Sequence, residues 1–280
     1  MGLMPEGDII VDGPILDELT TIVSAAAAAI LAVRAGPLDT RTKPDLTPVT
    51  AADHAAEAVI LDGLARVLPG VPVVSEEAAG QAPPAKLADT FILVDPLDGT
   101  REFIAGHDEF TVNVAIVAGG RPLLGIVAAP ALGLLWRGAE GGPAERLRLK
   151  PGAPANAAQE RSAIRTRTWP SAGLVAAVSR SHLDARTQVF LARLPRVDQI
   201  VSGSAIKFCR VAEGAADLYP RLAPTCEWDV AAGHAVLAAA GGTVTTPEGA
   251  PLRYGGLAEN FRIPAFIAWG DPSGSTRVSA

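Results

Sequence analysis

The sequence VDPLDGT, residues 94–100, puts two aspartates three residues apart at the end of an apolar run that begins at Phe91. Proline, aspartate and glycine are the residues that end strands and build tight turns. The fixed ring of Pro96 could also hold the backbone so that both aspartates and the Leu97 carbonyl aim at one point. These residues alone are compatible with either a turn or a functional site. Residues elsewhere in the chain are needed to decide between the two.

Length, composition and charge exclude several classes of protein. The 280 residues suffice for one large or two ordinary domains, and 49% of them are hydrophobic, as in a folded globular protein. A net charge of −6 and a pI near 5.3 argue against a nucleic-acid polymer as partner. Cys209 and Cys226 lack disulfide-scaffold or zinc spacing, which favours a reducing, cytoplasmic setting.

The N-terminal residues predict neither a signal peptide nor a membrane span. Glu6, Asp8 and Asp12 replace the basic region of a signal peptide. The uncharged stretch from Leu19 to Val33 is interrupted by Thr and Ser and falls short of the ~18 apolar residues that argue for a span. We expect a packed helix there and no transmembrane segment, whereas a homodimer and peripheral inner-membrane association stay open.

Apolar periodicity and turn residues divide the first half of the chain into helices and strands. Helical spacing predicts helices over Pro14 to Ala35 and Ala51 to Leu68. Short β-branched runs separated by Gly and Pro predict strands, the third and fourth forming an antiparallel pair. These strands are Val71 to Val74, Phe91 to Val94, Thr111 to Val117, Leu123 to Ala129 and Leu134 to Trp136.

The second half follows a different pattern. Residues 138–160 are rich in Gly, Ala and Pro and read as a connection. Strand and helix signals then alternate, which predicts an α/β layer. We therefore expect an α/β (α+β) fold with an N-terminal α+β domain over residues 1–150 and a C-terminal α/β domain over residues 151–280. The later elements are strands Gly173 to Val178 and Ala216 to Tyr219, and helices His182 to Leu194, Ser204 to Ala212 and Cys226 to Ala240.

Acidic residues recur at the ends of predicted strands or the starts of helices. Glu76 and Glu77 follow one strand, Asp95 and Asp98 another, and Asp229 begins a helix. Taken singly, they fit solvated loop charges or a favourable helix dipole. Taken together, several carboxylates converging on one pocket would repel one another unless hard cations neutralised them. Oxygen ligands without His or Cys select Mg²⁺, with Mn²⁺ as the alternative.

A phosphate and an attacking water would fit the same pocket. Gly99 and Thr100 would present free backbone N–H groups to a phosphate. Hydrolysis of a phosphate ester by metals uses a water oriented by an oxygen-bearing side chain. Thr100 follows the aspartates directly, and Asp53 could polarise its hydroxyl, although that pairing is spatial and sequence alone does not establish it.

Four motifs, in this order, resemble the inositol monophosphatase superfamily of Mg²⁺-dependent, lithium-sensitive phosphatases, and the resemblance covers nearly the whole chain. It implies a layered α/β/α/β/α sandwich of the sugar-phosphatase type, with the active site between its two halves. Ser75 stands where many members of the superfamily have glycine. The motifs are PVTAAD (48–53), SEE (75–77), DPLDGT (95–100) and WDVAAG (228–233).

The resemblance also assigns roles to individual residues. It implies two or three Mg²⁺ ions, inhibition by Li⁺, and metals that stabilise the attacking and leaving oxygens of an in-line displacement. Asp53, Thr100 and Glu76 are the implied catalytic residues, with Thr100 and Asp53 activating the water. The N-terminal domain would carry most of the ligands. The implied ligands are Glu76, Asp95, the Leu97 carbonyl, Asp98 and Asp229, and the ligands except Asp95 would also contact substrate, together with Gly99 and Thr100.

Within the superfamily the chain looks most similar to the CysQ-type 3'(2'),5'-bisphosphate nucleotidases, which remove the 3'-phosphate of adenosine 3',5'-bisphosphate and leave AMP. Arg221 stands near the position where inositol monophosphatases usually have an acidic residue, and its planar fork suits a second phosphate. Lys207 and Arg180 are further candidates for the 5'-phosphate, Ser204 for a polar contact to the nucleoside and His182 for a nearby position. The resemblance is carried by DPLDGTREFI (95–104), SRSH (179–182), residues 203–221 and WDVAAGHAV (228–236).

Two other functions remain open from sequence. One is a broader phosphatase acting on inositol 1-phosphate or fructose 1,6-bisphosphate. The other is a non-catalytic metal-binding regulatory protein that has kept the fold. A nucleic-acid exonuclease is disfavoured by the acidic charge balance and the lack of an aromatic stacking platform.

Overall fold

Two β-sheets with helices between and outside them build the protein. A computed structural model describes residues 12–37, 40–42, 48–81, 86–181 and 183–278. The helices in this part of the chain are α1 (Gly13–Arg34), α2 (Ala51–Val67), α3 (Glu76–Gln81), α4 (Thr100–Ile104), α5 (Ala185–Ala192), α6 (Ile206–Ala212), α7 (Ala231–Ala239) and α8 (Gly274–Val278).

Most of the strands belong to two sheets. Among the described residues, the N-terminal sheet has seven strands in the order β3-β4-β5-β6-β7-β8-β9, and the C-terminal sheet has five in the order β11-β10-β12-β16-β14. The bounds are β1 (Thr40–Thr42), β2 (Pro48–Thr50), β3 (Val73–Ser75), β4 (Thr90–Asp98), β5 (Thr111–Ala118), β6 (Arg121–Ala129), β7 (Leu134–Ala139), β8 (Glu145–Arg148), β9 (Glu160–Ala163), β10 (Leu174–Ser179), β11 (Val197–Ser202), β12 (Leu218–Arg221), β13 (Thr225–Cys226), β14 (Thr243–Thr245), β15 (Arg262–Ile263) and β16 (Phe266–Trp269).

The elements stack in five layers. Helices α1 and α2 cover one face of the N-terminal sheet, where their apolar stripes bury residues such as Leu19 and Ile60. Helices α6 and α7 lie between the two sheets, and residues such as Phe208 and Val236 form a core shared by both. Helices α5 and α8 supply Leu191 and Val278 to the outer face of the C-terminal sheet. The predicted α/β/α/β/α sandwich is confirmed.

Helix α1 agrees with the helix predicted over Pro14 to Ala35 to within one residue at each end. Its first turn is capped by Asp12, whose carboxylate accepts the Ile15 N–H at 3.0 Å. Within the described residues α1 is the one helix long and apolar enough to cross a membrane, and half of that apolar window is buried inside the protein. Core helices pass the same length and composition test, and α1 packs against α2 and the N-terminal sheet as the predicted core helix would.

Residues 138–160 are not the plain connection that their Gly, Ala and Pro content indicated. Strands β8 and β9 lie in and directly after this stretch, and they extend the N-terminal sheet to Ala163. Charged side chains such as Arg148 and Glu160, 3.5 Å apart, cover this sheet edge, which hides the apolar alternation that normally marks a strand. Ala163 thus ends the last strand of the N-terminal sheet, and β10, the next strand, belongs to the C-terminal sheet. The domain division at residue 150 stays a prediction.

Other element boundaries shifted for local reasons. The predicted helix from Cys226 to Ala240 is a short 3₁₀ turn, Glu227–Asp229, followed by α7. The predicted helix from His182 begins only at α5, because the Asp184 carboxylate caps its first N–H groups. His182 itself lies outside the described residues.

Candidate active site

A cavity at the junction of the two halves brings together the residues that the sequence singled out. All ten predicted metal-binding and substrate-binding residues line it, and Asp53 reaches it indirectly through a contact with Thr100. The ten are Glu76, Asp95, Leu97, Asp98, Gly99, Thr100, Ser204, Lys207, Arg221 and Asp229.

The stretch VDPLDGT is a bulged strand end rather than a turn after Val94. Strand β4 continues to Asp98, and its pairing with β5 slips by one residue: Asp95 lies opposite Asn113, whereas Asp98 lies opposite Thr111. The extra residue bends the strand and re-aims its side chains, and Pro96 is tolerated where the ladder is broken. The Leu97 N–H then donates to Asp95 Oδ1 at 3.0 Å, which fixes that carboxylate.

The chain leaves this strand through a position that requires glycine. Gly99 has φ +90°, in the left-handed region, and a Cβ there would overlap Ser204 Oγ. Thr100 follows as the first residue of α4, so its side chain stands at the rim of the cavity directly after the two aspartates. The sharp reversal at Gly99 is what brings Thr100 beside Asp98.

The pair Glu76 and Glu77 separates at a helix start. Strand β3 ends at Ser75, whose hydroxyl accepts the Ala78 N–H at 3.2 Å and so begins α3. Successive residues of a helix diverge around its axis, so Glu76 lines the cavity whereas Glu77 is buried outside its lining. The sequence predicted that one glutamate of the pair would face the site, but from strand alternation rather than from a helix start.

Asp229 is held by the backbone that precedes α7. Its Oδ2 accepts the Cys226 N–H at 3.1 Å and the Thr225 hydroxyl, closing the 3₁₀ turn like a capping box. Behind it, a Cβ at Gly233 would overlap the ring of Phe208 on α6. The run of small residues thus lets α7 start in close contact with α6, as the sequence indicated.

Four carboxylates, Glu76, Asp95, Asp98 and Asp229, form what we term the carboxylate wall of the cavity. Asp95 is almost completely buried, and burial together with the charges of the other three raises its pKa well above the ordinary value. Burial and the Asp229 carboxylate also raise the pKa of Asp98 to about 6. The wall therefore concentrates negative charge in a place where water screens it poorly.

Lys207 and Arg221 form what we term the cation wall of the same cavity. Burial lowers the pKa of Lys207 to about 8. Its ammonium donates to the Ser204 carbonyl at 2.5 Å and lies 5.2 Å from the centre of the Tyr219 ring. The Arg221 guanidinium donates weakly to the Pro224 carbonyl at 3.4 Å, while its Nε–H is buried with no partner among the described residues. A buried unsatisfied donor of this kind is suited to an anionic ligand.

Asp53 and Thr100 meet in space as the sequence suggested. The Thr100 hydroxyl lies 3.4 Å from Asp53 Oδ1 and 3.2 Å from the Leu97 carbonyl. The other carboxylate oxygen of Asp53 accepts the Thr50 N–H at 2.7 Å and the Thr50 hydroxyl at 2.9 Å, in the capping box of α2. One aspartate thus both starts a helix and orients towards the hydroxyl of Thr100.

Two candidate residues make contacts within the protein, and one further residue of the cavity was missed. Arg180 is an ion-pair partner of Glu109, with Nη2 and Oε2 2.5 Å apart, and does not line the cavity. The Ser204 hydroxyl is directed to protein carbonyls. Glu102 lines the cavity, is buried, and accepts a hydrogen bond from the Ser181 hydroxyl. Its place four residues after Asp98, on the start of α4, was the signal that could have indicated it.

The donor set fits a hard divalent cation. Every candidate ligand is an oxygen, and the buried negative charge of the carboxylate wall calls for a cation. Within the residues that the structure describes, no three His, Cys, Asp or Glu side chains close into a compact metal cage. A cation site is therefore inferred from the charge and chemistry of the lining residues.

Known proteins share this sequence and this fold. The CysQ 3'(2'),5'-bisphosphate nucleotidase of Escherichia coli strain K12 is 42% identical over 253 residues, which cover 90% of this chain and 98% of that protein. The histidinol-phosphatase of Mycobacterium tuberculosis is 33% identical over 260 residues, covering 86% and 92%. The crystal structure of CysQ from Bacteroides thetaiotaomicron superposes with a TM-score of 0.77 at 33% identity, covering 94% and 98%.

The family itself is matched over almost the whole described chain. Residues 14–266 fit the sequence profile of the inositol monophosphatase family, from the start of α1 to the start of β16. The match includes both walls of the cavity and the two sheets that carry them. This chain belongs to the inositol monophosphatase family.

Proposed function

We propose that this chain is a Mg²⁺-dependent 3'(2'),5'-bisphosphate nucleotidase that hydrolyses the 3'-phosphate of adenosine 3',5'-bisphosphate to give AMP and phosphate. The observation that carries this proposal is the pairing of the two walls. Carboxylates on one side suit the cations of a phosphatase centre, and Arg221 opposite, whose buried Nε–H has no hydrogen-bond partner among the described residues, suits a second phosphate. The similarity to CysQ proteins over 90% of the chain supports the same activity.

Members of this family are metal-dependent phosphatases, generally with Mg²⁺. In this chain we assign ligation to the four carboxylates of the carboxylate wall and to the Leu97 carbonyl. When bound, Mg²⁺ supplies Lewis acidity that polarises the phosphoryl group and balances its charge. Occupancy by two or three ions, replacement by Mn²⁺ and inhibition by Li⁺ belong to the same proposal.

Thr100 and Asp53 orient and deprotonate the attacking water. The hydroxyl of Thr100 can accept a hydrogen bond from water while it donates its own proton towards Asp53 Oδ1, 3.4 Å away. Asp53 is fixed for this task by its bonds to Thr50. Glu76, at the start of α3, faces the same space and completes the catalytic set.

The substrate is oriented by its two phosphates. Gly99 and Thr100 offer their backbone N–H groups to the 3'-phosphate next to the carboxylate wall. Arg221 and Lys207 then bind the 5'-phosphate through charge-assisted hydrogen bonds, which a cavity shielded from water strengthens. A substrate with one phosphate leaves the cation wall unpaired, which costs affinity.

Histidinol phosphate is the rival substrate that the 33% identical histidinol-phosphatase suggests. It carries one phosphate and a protonated amine, and that amine would approach the positive charges of Lys207 and Arg221. Inositol 1-phosphate and fructose 1,6-bisphosphate remain alternatives, because the carboxylate wall suits any phosphate monoester. The cation wall favours a substrate with two phosphates over inositol 1-phosphate, and the similarity to CysQ proteins favours the nucleotide over fructose 1,6-bisphosphate.

Side-by-side turnover tests the substrate. Phosphate release with Mg²⁺ is measured from adenosine 3',5'-bisphosphate, inositol 1-phosphate, fructose 1,6-bisphosphate and histidinol phosphate, each with and without lithium. We expect a preference of about tenfold or more in kcat/KM for the nucleotide, suppressed by lithium. Equal or better turnover of another ester would overturn the substrate and keep the phosphatase. No Mg²⁺-dependent turnover of any ester would leave the regulatory alternative.

A further inference from the structure

Ser204 adopts a conformation that is rare for its residue type. Its φ is +48°, in the left-handed region, and it is one of three non-glycine residues with positive φ in the described part of the chain. Its hydroxyl lies 2.9 Å from the Asp98 carbonyl and 3.1 Å from the Glu109 carbonyl. Ser204 belongs to the C-terminal half and both acceptors to the N-terminal half, so this hydroxyl joins the halves at the cavity.

Glu109 binds the same segment from the other side. Its Oε2 accepts the Gly203 N–H at 2.9 Å and pairs with Arg180 Nη2 at 2.5 Å. One carboxylate of the N-terminal half therefore holds two donors of the C-terminal half. The pairing also explains why Arg180 does not reach the cavity.

The backbone fit at this contact excludes side chains. A Cβ at Gly99 would overlap the Ser204 hydroxyl, and a Cβ at Gly203 would overlap the Glu109 carbonyl. The two segments are therefore packed so closely that neither glycine position leaves room for a side chain. The contact is therefore a rigid joint between the halves and not a loose surface contact.

The joint links the two walls of the cavity directly. On one side the Ser204 hydroxyl meets the main chain of Asp98, a residue of the carboxylate wall. On the other side the Ser204 carbonyl accepts the ammonium of Lys207, a residue of the cation wall, at 2.5 Å. A shift of Ser204 would change the distance between the Asp98 carboxylate and Lys207.

We infer that Ser204 and Glu109 are positioning residues: they hold Asp98 in register with the cation wall, and the Ser204 hydroxyl serves the protein instead of the nucleoside. This inference rests on the proposed function, in which Asp98 ligates Mg²⁺. The hydroxyl has a single proton, and both of its near acceptors are carbonyls of the protein.

The test replaces Ser204 by alanine and, separately, by glycine, which accepts positive φ without strain. Mg²⁺ binding is measured by calorimetry without substrate, and kcat and KM are measured on adenosine 3',5'-bisphosphate and on p-nitrophenyl phosphate, an ester without a nucleoside. Loss of a positioning hydrogen bond behind a metal ligand should weaken Mg²⁺ binding and lower kcat by about tenfold. We expect both esters to lose kcat equally, because both react at the carboxylate wall, and any rise in the KM of the nucleotide to accompany the loss of Mg²⁺ binding.

Other outcomes overturn the inference. A higher KM for the nucleotide, with Mg²⁺ binding and p-nitrophenyl phosphate turnover unchanged, would show that Ser204 contacts the nucleoside. Variants that match the wild type in every measurement would show that the joint does not position Asp98. If the wild type binds Mg²⁺ and hydrolyses p-nitrophenyl phosphate but not the nucleotide, the substrate proposal fails while the role of Ser204 is still tested.

A second variant separates positioning from folding. Glu109→Gln keeps an acceptor for the Gly203 N–H but removes the charge that pairs with Arg180, so we expect a weaker version of the Ser204→Ala pattern. Ser162→Ala, on the far edge strand β9, is the matched control and should leave Mg²⁺ binding and kcat unchanged. Thermal unfolding of each variant shows whether the measured protein is folded. Normal Mg²⁺ binding in a folded Glu109→Gln would contradict the role of Glu109.

Discussion

The carboxylate wall and the cation wall face each other across one cavity, yet the backbone holds them in different ways. Asp95 and Asp229 have short side chains, and each accepts an N–H from a residue two or three positions away in sequence. Lys207 and Arg221 have long side chains, fixed by burial and by contacts with carbonyls and the Tyr219 ring. The two cations also donate to carbonyls only three positions away. The walls therefore differ in that short main-chain bonds fix the direction of Asp95 and Asp229, whereas burial, and for Lys207 the Tyr219 ring, places the two long side chains.

This difference predicts that the two walls contribute differently to catalysis and to substrate choice. A carboxylate fixed by its own strand end or helix start keeps its direction whatever the substrate, which suits cation binding common to a whole family. A long cation fixed by packing is replaceable without disturbing the backbone, which suits the choice of substrate. Breaking one residue of each wall should therefore give different kinetic results.

Asp98→Asn should give the largest effect. The substitution removes a charge from the proposed cation site, and we expect kcat/KM with Mg²⁺ to fall by about 10³-fold or more on every ester. Since burial and Asp229 already raise the pKa of Asp98 to about 6, the neutral side chain relieves repulsion, so Tm in EDTA should stay equal or rise. Steady-state kinetics and calorimetric melting check both halves of the prediction.

Asp89→Asn, at an exposed position before β4, is the matched control and should change neither quantity. A folded Asp98→Asn enzyme that keeps its turnover would remove Asp98 from the metal ligands. A large drop of Tm in EDTA would instead mean that Asp98 acts mainly through its contacts with Thr111 and Asn113.

Arg221→Ala should give the second largest effect, and only on doubly phosphorylated substrate. A lost hydrogen bond to a charged group is worth about 1.5–3 kcal/mol, so KM for adenosine 3',5'-bisphosphate should rise by about 10- to 150-fold. Turnover of inositol 1-phosphate should stay within about threefold, because a single phosphate binds at the carboxylate wall. Michaelis–Menten kinetics on the two esters measure the split.

Arg253→Ala, an exposed arginine away from the cavity, is the matched control and should alter neither KM. An equal loss on both esters would contradict the assignment of Arg221 to the second phosphate. Such a result would instead fit Arg221 as an electrostatic partner of the carboxylate wall. Burial lowers the pKa of Arg221, but Tyr219, Asp229 and Asp98 raise it by more.

The difference between the two walls also explains which site residues could be predicted from sequence alone. The carboxylates sit in short motifs whose spacing is set by a strand end or a helix start, so the sequence indicated Asp95, Asp98 and Asp229 together with the turn chemistry around them. It could not show the bulge in β4, because the slip in pairing depends on Thr111 and Asn113 of the next strand. The roles of these residues as ligands remain predictions.

Long-range contacts account for what sequence reasoning missed. The pairing of Arg180 with Glu109, 71 positions apart, turned a candidate phosphate ligand into part of a joint. The Ser204 hydroxyl met main-chain carbonyls, which leave no signature in sequence. The charged strands β8 and β9, of which β9 forms the sheet edge, give the signal of a connection because tertiary pairing, rather than apolar periodicity, makes them strands.

Gly233→Ala should give a moderate effect on stability at the contact between α6, which carries Lys207, and α7, which follows Asp229. A Cβ there would overlap the ring of Phe208, next in sequence to Lys207, while α7 follows Asp229 directly. Overpacking of a core costs about 1–3 kcal/mol, partly offset by the better helix propensity of alanine. Urea unfolding measures the free-energy difference.

Gly13→Ala, at a helix start where an added Cβ meets nothing within 4 Å, is the matched control and should change the free energy of unfolding little. If Gly233→Ala also weakens Mg²⁺ binding, the start of α7 positions Asp229. A Gly233→Ala protein as stable as the wild type would mean that α6 can move away from α7 without a cost in free energy. The close contact of Gly233 with Phe208 would then not be required for stability.

His234→Gln should give the smallest effect, visible only as a change in pH dependence. His234 lies on α7, one turn beyond the carboxylate wall, and its Nδ1 is 2.8 Å from the Tyr254 hydroxyl. Burial lowers the pKa of His234 from 6.5 to about 3. The folded protein therefore keeps this side chain neutral below pH 6.5, while the unfolded chain binds a proton there.

The sign of the pH effect follows from that difference. The stabilisation is fully present above pH 6.5 and is lost as the pH falls towards 3, with a slope of up to about 1.4 kcal/mol per pH unit. Urea unfolding of wild type and His234→Gln from pH 7.5 to pH 4.5 should show a flatter profile for the variant, and His107→Gln, at an exposed position, should keep the wild-type slope. Identical slopes in all three proteins would mean that His234 becomes charged inside the fold. Because His234 belongs to neither wall, its replacement should leave Mg²⁺ binding at pH 7.5 unchanged. Weaker Mg²⁺ binding by His234→Gln would mean that the second turn of α7 helps to position the carboxylates.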